Sequence, residues 1–171
     1  MPWPNKSPSS IHRLTRAALL TAIALTIFMA EAQLPAPIPI PGIKLGLANI
    51  VTVYAMYVLG PADTLMILIS RIFLGAVFSG QMMTLLYSLG GGLCCFAAML
   101  LLRQILDKRH LWLVSPLAAL FHNLGQLLVA AAVMRTWAVT AYFPYLALAG
   151  ICAGFFTGLC TQMLIRRLEQ K

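Results

Sequence analysis

Seven polar side chains stand within or beside apolar stretches long enough to cross a membrane. They are Glu31, Lys44, Asn49, Arg71, His122, Asn123 and Gln126. An ionised group at the centre of a membrane-spanning helix costs at least about 2.5–3.5 kcal/mol, so such residues are functional candidates by default. His122 and Gln126 are four residues apart and therefore share one face of a helix. We interpret the seven residues as a substrate-binding site.

The charges of these residues do not balance. Arg71 and Lys44 supply two positive charges, and Glu31 is the only carboxylate at the same level of the chain's apolar segments. The surplus suits a ligand that carries a carboxylate or a phosphate, with an apolar part among Leu, Phe and Met side chains. In the alternative interpretation, these groups only stabilise packing, through an Arg71–Glu31 ion pair and interhelical hydrogen bonds of about 0.6 kcal/mol each.

Motifs for several kinds of catalysis do not occur in the sequence. It contains no GxxxxGK[ST] phosphate loop, no HExxH motif and no Ser/His/Asp set. Asp63 and Asp107 are too far apart to form the aspartate cluster that holds Mg²⁺ against a diphosphate. We therefore expect a protein that is not an enzyme and binds no metal or cofactor. The cysteines have no CxxC spacing and should be buried, free thiols: Cys94, Cys95, Cys152 and Cys160.

The composition indicates that lipid surrounds most of the chain. Of 171 residues, 61% are hydrophobic and only 9% are charged, with a mean hydropathy of +0.89. A soluble domain carries roughly 25% charged residues. We expect one transmembrane domain at residues 14–166, between cytoplasmic tails at residues 1–13 and 167–171.

Apolar runs cover residues 17–34, 45–59, 64–78, 82–102, 111–134 and 142–165. Since a span needs about 20 residues, they predict an all-α bundle of about six transmembrane helices. The second and third runs are short, so they are either short buried spans or extend into flanking polar residues. The alternating prolines at residues 35–41 predict an extended loop. In an alternative, Ala30-Glu31-Ala32 is the cleavage site of a signal peptide, which would leave five spans.

The basic residues predict the orientation. With the N-terminus inside, nine of them face the cytoplasm: Lys6, Arg13, Arg16, Arg103, Lys108, Arg109, Arg166, Arg167 and Lys171. Only Lys44 and Arg135 face outward. This bias predicts a multi-pass protein of the cytoplasmic membrane with both termini inside. Because these cations lie at helix ends, we expect no nucleic-acid binding. The polar pocket then lies in the outer half of the bundle, and the inner halves of the spans should carry almost nothing polar.

Two ridges of small residues would allow helices to approach closely. Gly150, Gly154 and Gly158 form one ridge, which we interpret as internal packing. Ala18 and Ala22 form the other, which could face the bundle or another subunit.

Five segments carry a resemblance to a known family. They are PIPGIKLGLANIVT at residues 39–52, YVLGP at 57–61, SRIFLG at 70–75, SLGGG at 88–92 and HNLGQ at 122–126. The sequence resembles the Gx transporter family, also labelled heptaprenyl diphosphate synthase component I. That family is similar in organisation to the S components of energy-coupling factor transporters, six-helix proteins that bind a micronutrient from outside and dock on an ATP-driven module.

The resemblance implies a substrate-binding transporter subunit whose Ala18 and Ala22 contact a membrane coupling subunit with ATPases. Its expected partners are the lipid bilayer, a small-molecule ligand and this coupling module. The alternatives are a non-catalytic accessory subunit of polyprenyl diphosphate or quinone synthesis, and a purely structural partner in a membrane complex.

Overall fold

The computed structural model describes residues 10–33 and 46–170, and within these ranges the regular elements are all helical. Two 3-10 helices, Lys108–His110 and Trp137–Tyr142, precede the last two α-helices. The α-helices are α1 (Ser10–Glu31), α2 (Asn49–Val58), α3 (Pro61–Ser79), α4 (Met82–Ile105), α5 (Leu111–Met134) and α6 (Phe143–Glu169). The predicted all-helical fold with six helices is confirmed.

Polar contacts at one end of the bundle show that successive helices run antiparallel. Arg13 Nη2 lies 2.6 Å from Asp63 Oδ1, which joins the starts of α1 and α3. The Tyr57 hydroxyl donates to the carbonyl beyond α4, and Lys108 reaches Glu169 at the end of α6. This end holds the starts of α1, α3 and α5 and the ends of α2, α4 and α6. We call it the terminal end. The opposite end holds the end of α1, the start of α2 and the connection between α5 and α6.

One of the six helices is too short to cross a membrane. Five helices have the length and hydropathy of a span, whereas α2 has 10 residues. At 1.5 Å per residue it is about 15 Å long, half of the hydrocarbon thickness. Five of the about six expected spans are therefore confirmed by length and hydropathy, and the second run forms a short, largely buried helix of the bundle. The backbone is not helical at Gly46, before α2, or at Gly60, after it, where φ is +81° and +101°. Pro61 then begins α3. By contrast, α3 extends into flanking polar residues and has 19 residues.

The exposed surface of the helices is apolar, as the composition predicts. Phe73, Phe78, Leu148 and Phe156 are 60–66% exposed. Such side chains are stable only against lipid or another protein. The expectation that all cysteines are buried is wrong: Cys152 is exposed on this surface, although Cys95 is buried. An apolar thiol can face lipid, so its position on the helix face and not its residue type decides its burial.

The glycine ridge of α6 packs inside the bundle, as predicted. A Cβ at Gly150 would overlap the Asn123 amide, and one at Gly154 would lie 2.6 Å from Pro116 Cα. A Cβ at Gly158 would likewise meet the backbone of α5, at 2.6 Å. The absence of side chains therefore sets the close approach of α5 and α6.

Apart from Arg71 near the middle of α3, nearly all basic residues of the described helices lie at the terminal end. They are Arg13, Arg16, Arg103, Lys108, Arg109, Arg166 and Arg167, and Arg135 alone lies at the opposite end of the described part. The positive-inside bias leads us to predict that the terminal end faces the cytoplasm.

Cysteine labelling of intact cells checks this orientation. In a background without the four native cysteines, Thr136→Cys should react with an impermeant thiol reagent, because Thr136 is exposed at the opposite end. Glu169→Cys, exposed at the terminal end, should react only after the cells are opened. The reverse labelling pattern would mean that the terminal end faces the outside of the cell.

Candidate ligand-binding site

Arg71 lies near the middle of α3 and is only 3% exposed. Its neighbours on the helix, Leu68 and Ile72, pack against Gly92 of α4, where a Cβ would lie 3.0 Å from Ile72 Cδ1. The Arg71 side chain is therefore buried beside a close contact of α3 with α4. Among the residues that the structure describes, the buried Nε and Nη2 atoms of Arg71 have no hydrogen-bond partner. The packing-only interpretation expected these donors to be satisfied.

His122 and Gln126 lie on one face of α5, as their spacing predicts. Both face Gly91 of α4, where a Cβ would lie 2.8 Å from Gln126 Cγ and 3.0 Å from His122 Cε1. Gly91 therefore leaves room for both side chains. His122 is also within electrostatic range of Arg71. Within the described part of the chain, His122 Nδ1 and Gln126 Oε1 are buried without a hydrogen bond of good geometry, although the imidazole also lies near the Gly91 backbone.

Glu31 connects α1 to the start of α2. Its Oε1 accepts the Gly46 N–H at 2.6 Å, and its Oε2 accepts the Leu47 N–H at 2.9 Å. A carboxylate at a helix N-terminus is favourable because it meets the unpaired backbone donors and the positive end of the helix dipole. Glu31 also lies within electrostatic range of Arg71. The geometry gives Glu31 a positioning role that sequence reasoning missed, since no spacing rule connects it to Gly46.

Gly46 brings the start of α2 against α5. Its φ of +81° is readily accessible only to glycine, and a Cβ there would lie 2.9 Å from Asn49 Nδ2 and 3.2 Å from His122 Nε2. Asn49 and His122 therefore meet beside Gly46. Neither polar atom of the Asn49 amide has a hydrogen-bond partner among the described residues.

Asn123 stands apart from this group. Its Nδ2 donates to the Leu146 carbonyl of α6 at 2.7 Å, and its Oδ1 has no partner in the described ranges. The side chain thus supports the α5–α6 contact. The structure brings together Asn49, Arg71, His122 and Gln126, with Glu31 beside them. Lys44 and the proline-rich stretch lie outside the described residues.

Buried polar residues also occur near the terminal end, where we expected almost none. Ser115 and Thr157 hydroxyls lie 2.9 Å apart between α5 and α6, and Thr161 donates to the Thr157 carbonyl at 2.8 Å. Gln162 Oε1 accepts the Trp112 N–H. The expectation was wrong because serine and threonine hydroxyls can bond to nearby carbonyls and to one another at little cost.

Hydrogen-bond pairing distinguishes the predicted ligand contacts from the buried polar residues near the terminal end. In the described ranges, seven buried side-chain atoms lack a partner, and all belong to residues predicted as ligand contacts: Asn49, Arg71, His122, Asn123 and Gln126. Each unsatisfied buried group costs about 1–3 kcal/mol. Because native structures leave few such groups unpaired, their concentration indicates a place where a polar ligand or water completes the bonding.

Ala18 and Ala22 face outward, unlike the glycines of α6. Both are exposed and line a groove between α1 and α3, together with Thr21, Met66 and Ser70. Because alanine side chains are small, a helix from another protein could approach α1 closely at this groove.

No curated protein and no solved structure matches the chain. One family does, described as heptaprenyl diphosphate synthase component I, and the match covers residues 20–164. That range contains every described residue that has a buried side-chain atom without a partner. The chain therefore belongs to the heptaprenyl diphosphate synthase component I family.

Proposed function

We propose that the protein is a non-enzymatic, membrane-embedded binding subunit for the uptake of a small anionic or amphipathic metabolite. In this role it resembles the S components of energy-coupling factor transporters. The observation that carries the proposal is the group of buried, unpartnered polar atoms on Asn49, Arg71, His122 and Gln126. A site with so many free donors and acceptors in an apolar bundle is suited to holding a polar molecule within the membrane.

The position of the site supports binding from outside the cell. Gly46 and Asn49 lie at the opposite end of the bundle, away from the cluster of basic residues at the terminal end. With the terminal end in the cytoplasm, a ligand would enter beside the start of α2. The protein would then reside in the cytoplasmic membrane and present the site outward.

The chain carries no phosphate loop, so we assign the energy source to a partner with ATPase subunits. The exposed Ala18 and Ala22 offer that partner's membrane subunit a surface for close helix packing. Met66 and Ser70 of α3 would form the other wall of this contact.

Affinity purification in a mild detergent tests the proposed function. A tagged copy in its native host should bring down a membrane protein and ATPase subunits in comparable amounts, and cells should take up the ligand only when these partners are present. A tagged membrane protein of similar size is the control for detergent carry-over. Recovery of a soluble prenyl synthase without ATPases would contradict the transport role.

The second candidate is a non-catalytic membrane subunit of polyprenyl diphosphate synthesis. The family name supports it, as does a cleft at the terminal end. The cleft has apolar walls that include Leu19, Val58 and Leu168, and it is also lined by Arg16 and by the Lys108–Glu169 ion pair. Apolar walls and the Arg16 cation suit a prenyl chain with a diphosphate head group. The same purification distinguishes this candidate by the partner recovered.

A further inference from the structure

The unpartnered edge of the Arg71 guanidinium indicates the class of ligand. Nε and Nη2 lie on the same edge of the planar group, and both are buried without a partner among the described residues. Two parallel N–H groups match the two oxygens of a carboxylate side-on. We propose that the site binds a small monocarboxylic acid through this edge of Arg71. The inference rests on the binding role proposed above.

The charges around Arg71 favour a carboxylate over a phosphate. Glu31 lies within electrostatic range of Arg71, so a ligand bound at the free edge of Arg71 brings its negative charge near a carboxylate. A ligand carboxylate adds a single negative charge there. A phosphate monoester carries about −1.5 to −2 charges at neutral pH and would place up to twice as much negative charge next to Glu31. In a site enclosed by apolar helices, an uncompensated charge is strongly unfavourable.

The other free groups suit a second polar function on the ligand. Gln126 Oε1 accepts hydrogen bonds but cannot donate, so it needs an N–H or O–H group. The Asn49 amide has both a free donor and a free acceptor. A carboxylic acid that also carries a hydroxyl, amine or amide would satisfy these atoms together with Arg71. Glu31 is a positioning residue here, because its bonds to Gly46 and Leu47 hold the segment that carries Asn49.

The experiment identifies what the purified full-length protein retains. Small molecules are released by acid from the wild-type protein and analysed by mass spectrometry. The eluate is then offered again to stripped protein, before and after carbodiimide coupling that converts carboxylates to amides. We expect a compound with one carboxylate and no phosphorus, which rebinds only in its uncoupled form. A phosphate compound without a carboxylate would overturn the inference and leave the uptake proposal standing.

Variants of Arg71 test whether the two parallel N–H groups of the guanidinium hold the carboxylate. Arg71→Lys retains the charge and loses the planar pair of donors, so retention should fall about tenfold or more, and Arg71→Gln should abolish it. Glu31→Gln should reduce retention less, because one oxygen can still accept a backbone N–H. Melting temperatures show whether each variant is folded. Equal retention by folded Arg71→Lys and wild type would mean that charge alone suffices, and would overturn the side-on contact.

A protein purified without any bound molecule is tested with defined probes. Benzoate, benzamide and phenylphosphonate share one ring and differ in their polar group, so the shift in melting temperature compares head groups directly. Stabilisation by benzoate alone supports the inference. Equal shifts, a preference for phenylphosphonate or no shift with any probe would count against it.

Discussion

Gly154→Val should lower the free energy of unfolding by about 1–3 kcal/mol or more, because the new side chain has no space at the α5–α6 contact. A Cβ at this position would lie 2.6 Å from Pro116 Cα, 2.9 Å from Pro116 N and 3.0 Å from the Ser115 carbonyl oxygen. These are backbone atoms, so relief requires α5 to move as a whole. The shift would disturb the Ser115–Thr157 bond beside it and weaken packing along the helix pair.

Thermal unfolding in detergent, followed by circular dichroism, measures this effect. The matched control is Cys152→Val, which places the same side chain two residues away on the exposed face of α6. An exposed substitution of this kind should change the free energy of unfolding by no more than about 0.5 kcal/mol. If the two variants melted at the same temperature, the glycine would not mark a packing contact.

The second large effect concerns docking. If the proposed coupling partner exists, replacing both Ala18 and Ala22 with leucine should reduce its recovery by about tenfold or more while the protein remains folded. Both alanines are exposed and line the groove between α1 and α3, so the larger side chains fill space outside the bundle. A partner helix that approaches α1 closely would meet the added atoms, and overpacking is unfavourable at such a contact.

The control for docking is a double variant elsewhere on the surface. Ala97 of α4 and Ala132 of α5 are also exposed, and Ala97→Leu with Ala132→Leu should leave recovery of the partner unchanged. If the variant of α1 lost stability as Gly154→Val does, its alanines would be packing residues. Normal recovery in a folded protein would place the docking surface elsewhere.

The two ridges carry the same kind of sequence signal and lie in opposite surroundings. Small residues at every fourth position mark a helix face that can approach another helix, and this property is local. Which helix approaches that face depends on the arrangement of the whole bundle. The glycines of α6 meet α5, whereas Ala18 and Ala22 remain exposed. The sequence therefore indicated only that both faces could pack closely, and the structure shows that the glycines do so inside the bundle.

The same distinction applies to the candidate site. Composition and hydropathy were sufficient to predict a helical membrane protein and to select Arg71, Asn49, His122 and Gln126, because an unsolvated polar group is costly in any such fold. Sequence could not separate them from Ser115 and the threonines of α6, which are also buried and polar. The separation requires the positions of hydrogen-bonding neighbours, and these come from other helices.

The sequence alone was therefore sufficient to predict that lipid surrounds most of this protein and where its helical segments lie. It also identified polar residues that need hydrogen-bond or charge partners when they are buried. The tertiary structure decided that α2 spans only about half a bilayer, that Glu31 holds the backbone before α2, and that Asn123 bonds to α6. Hydropathy and helical periodicity are properties of neighbouring residues along the chain, so they can be recognised without a fold. Hydrogen-bond pairing is a property of groups brought together from distant segments, and only the packed bundle determines which of them find partners.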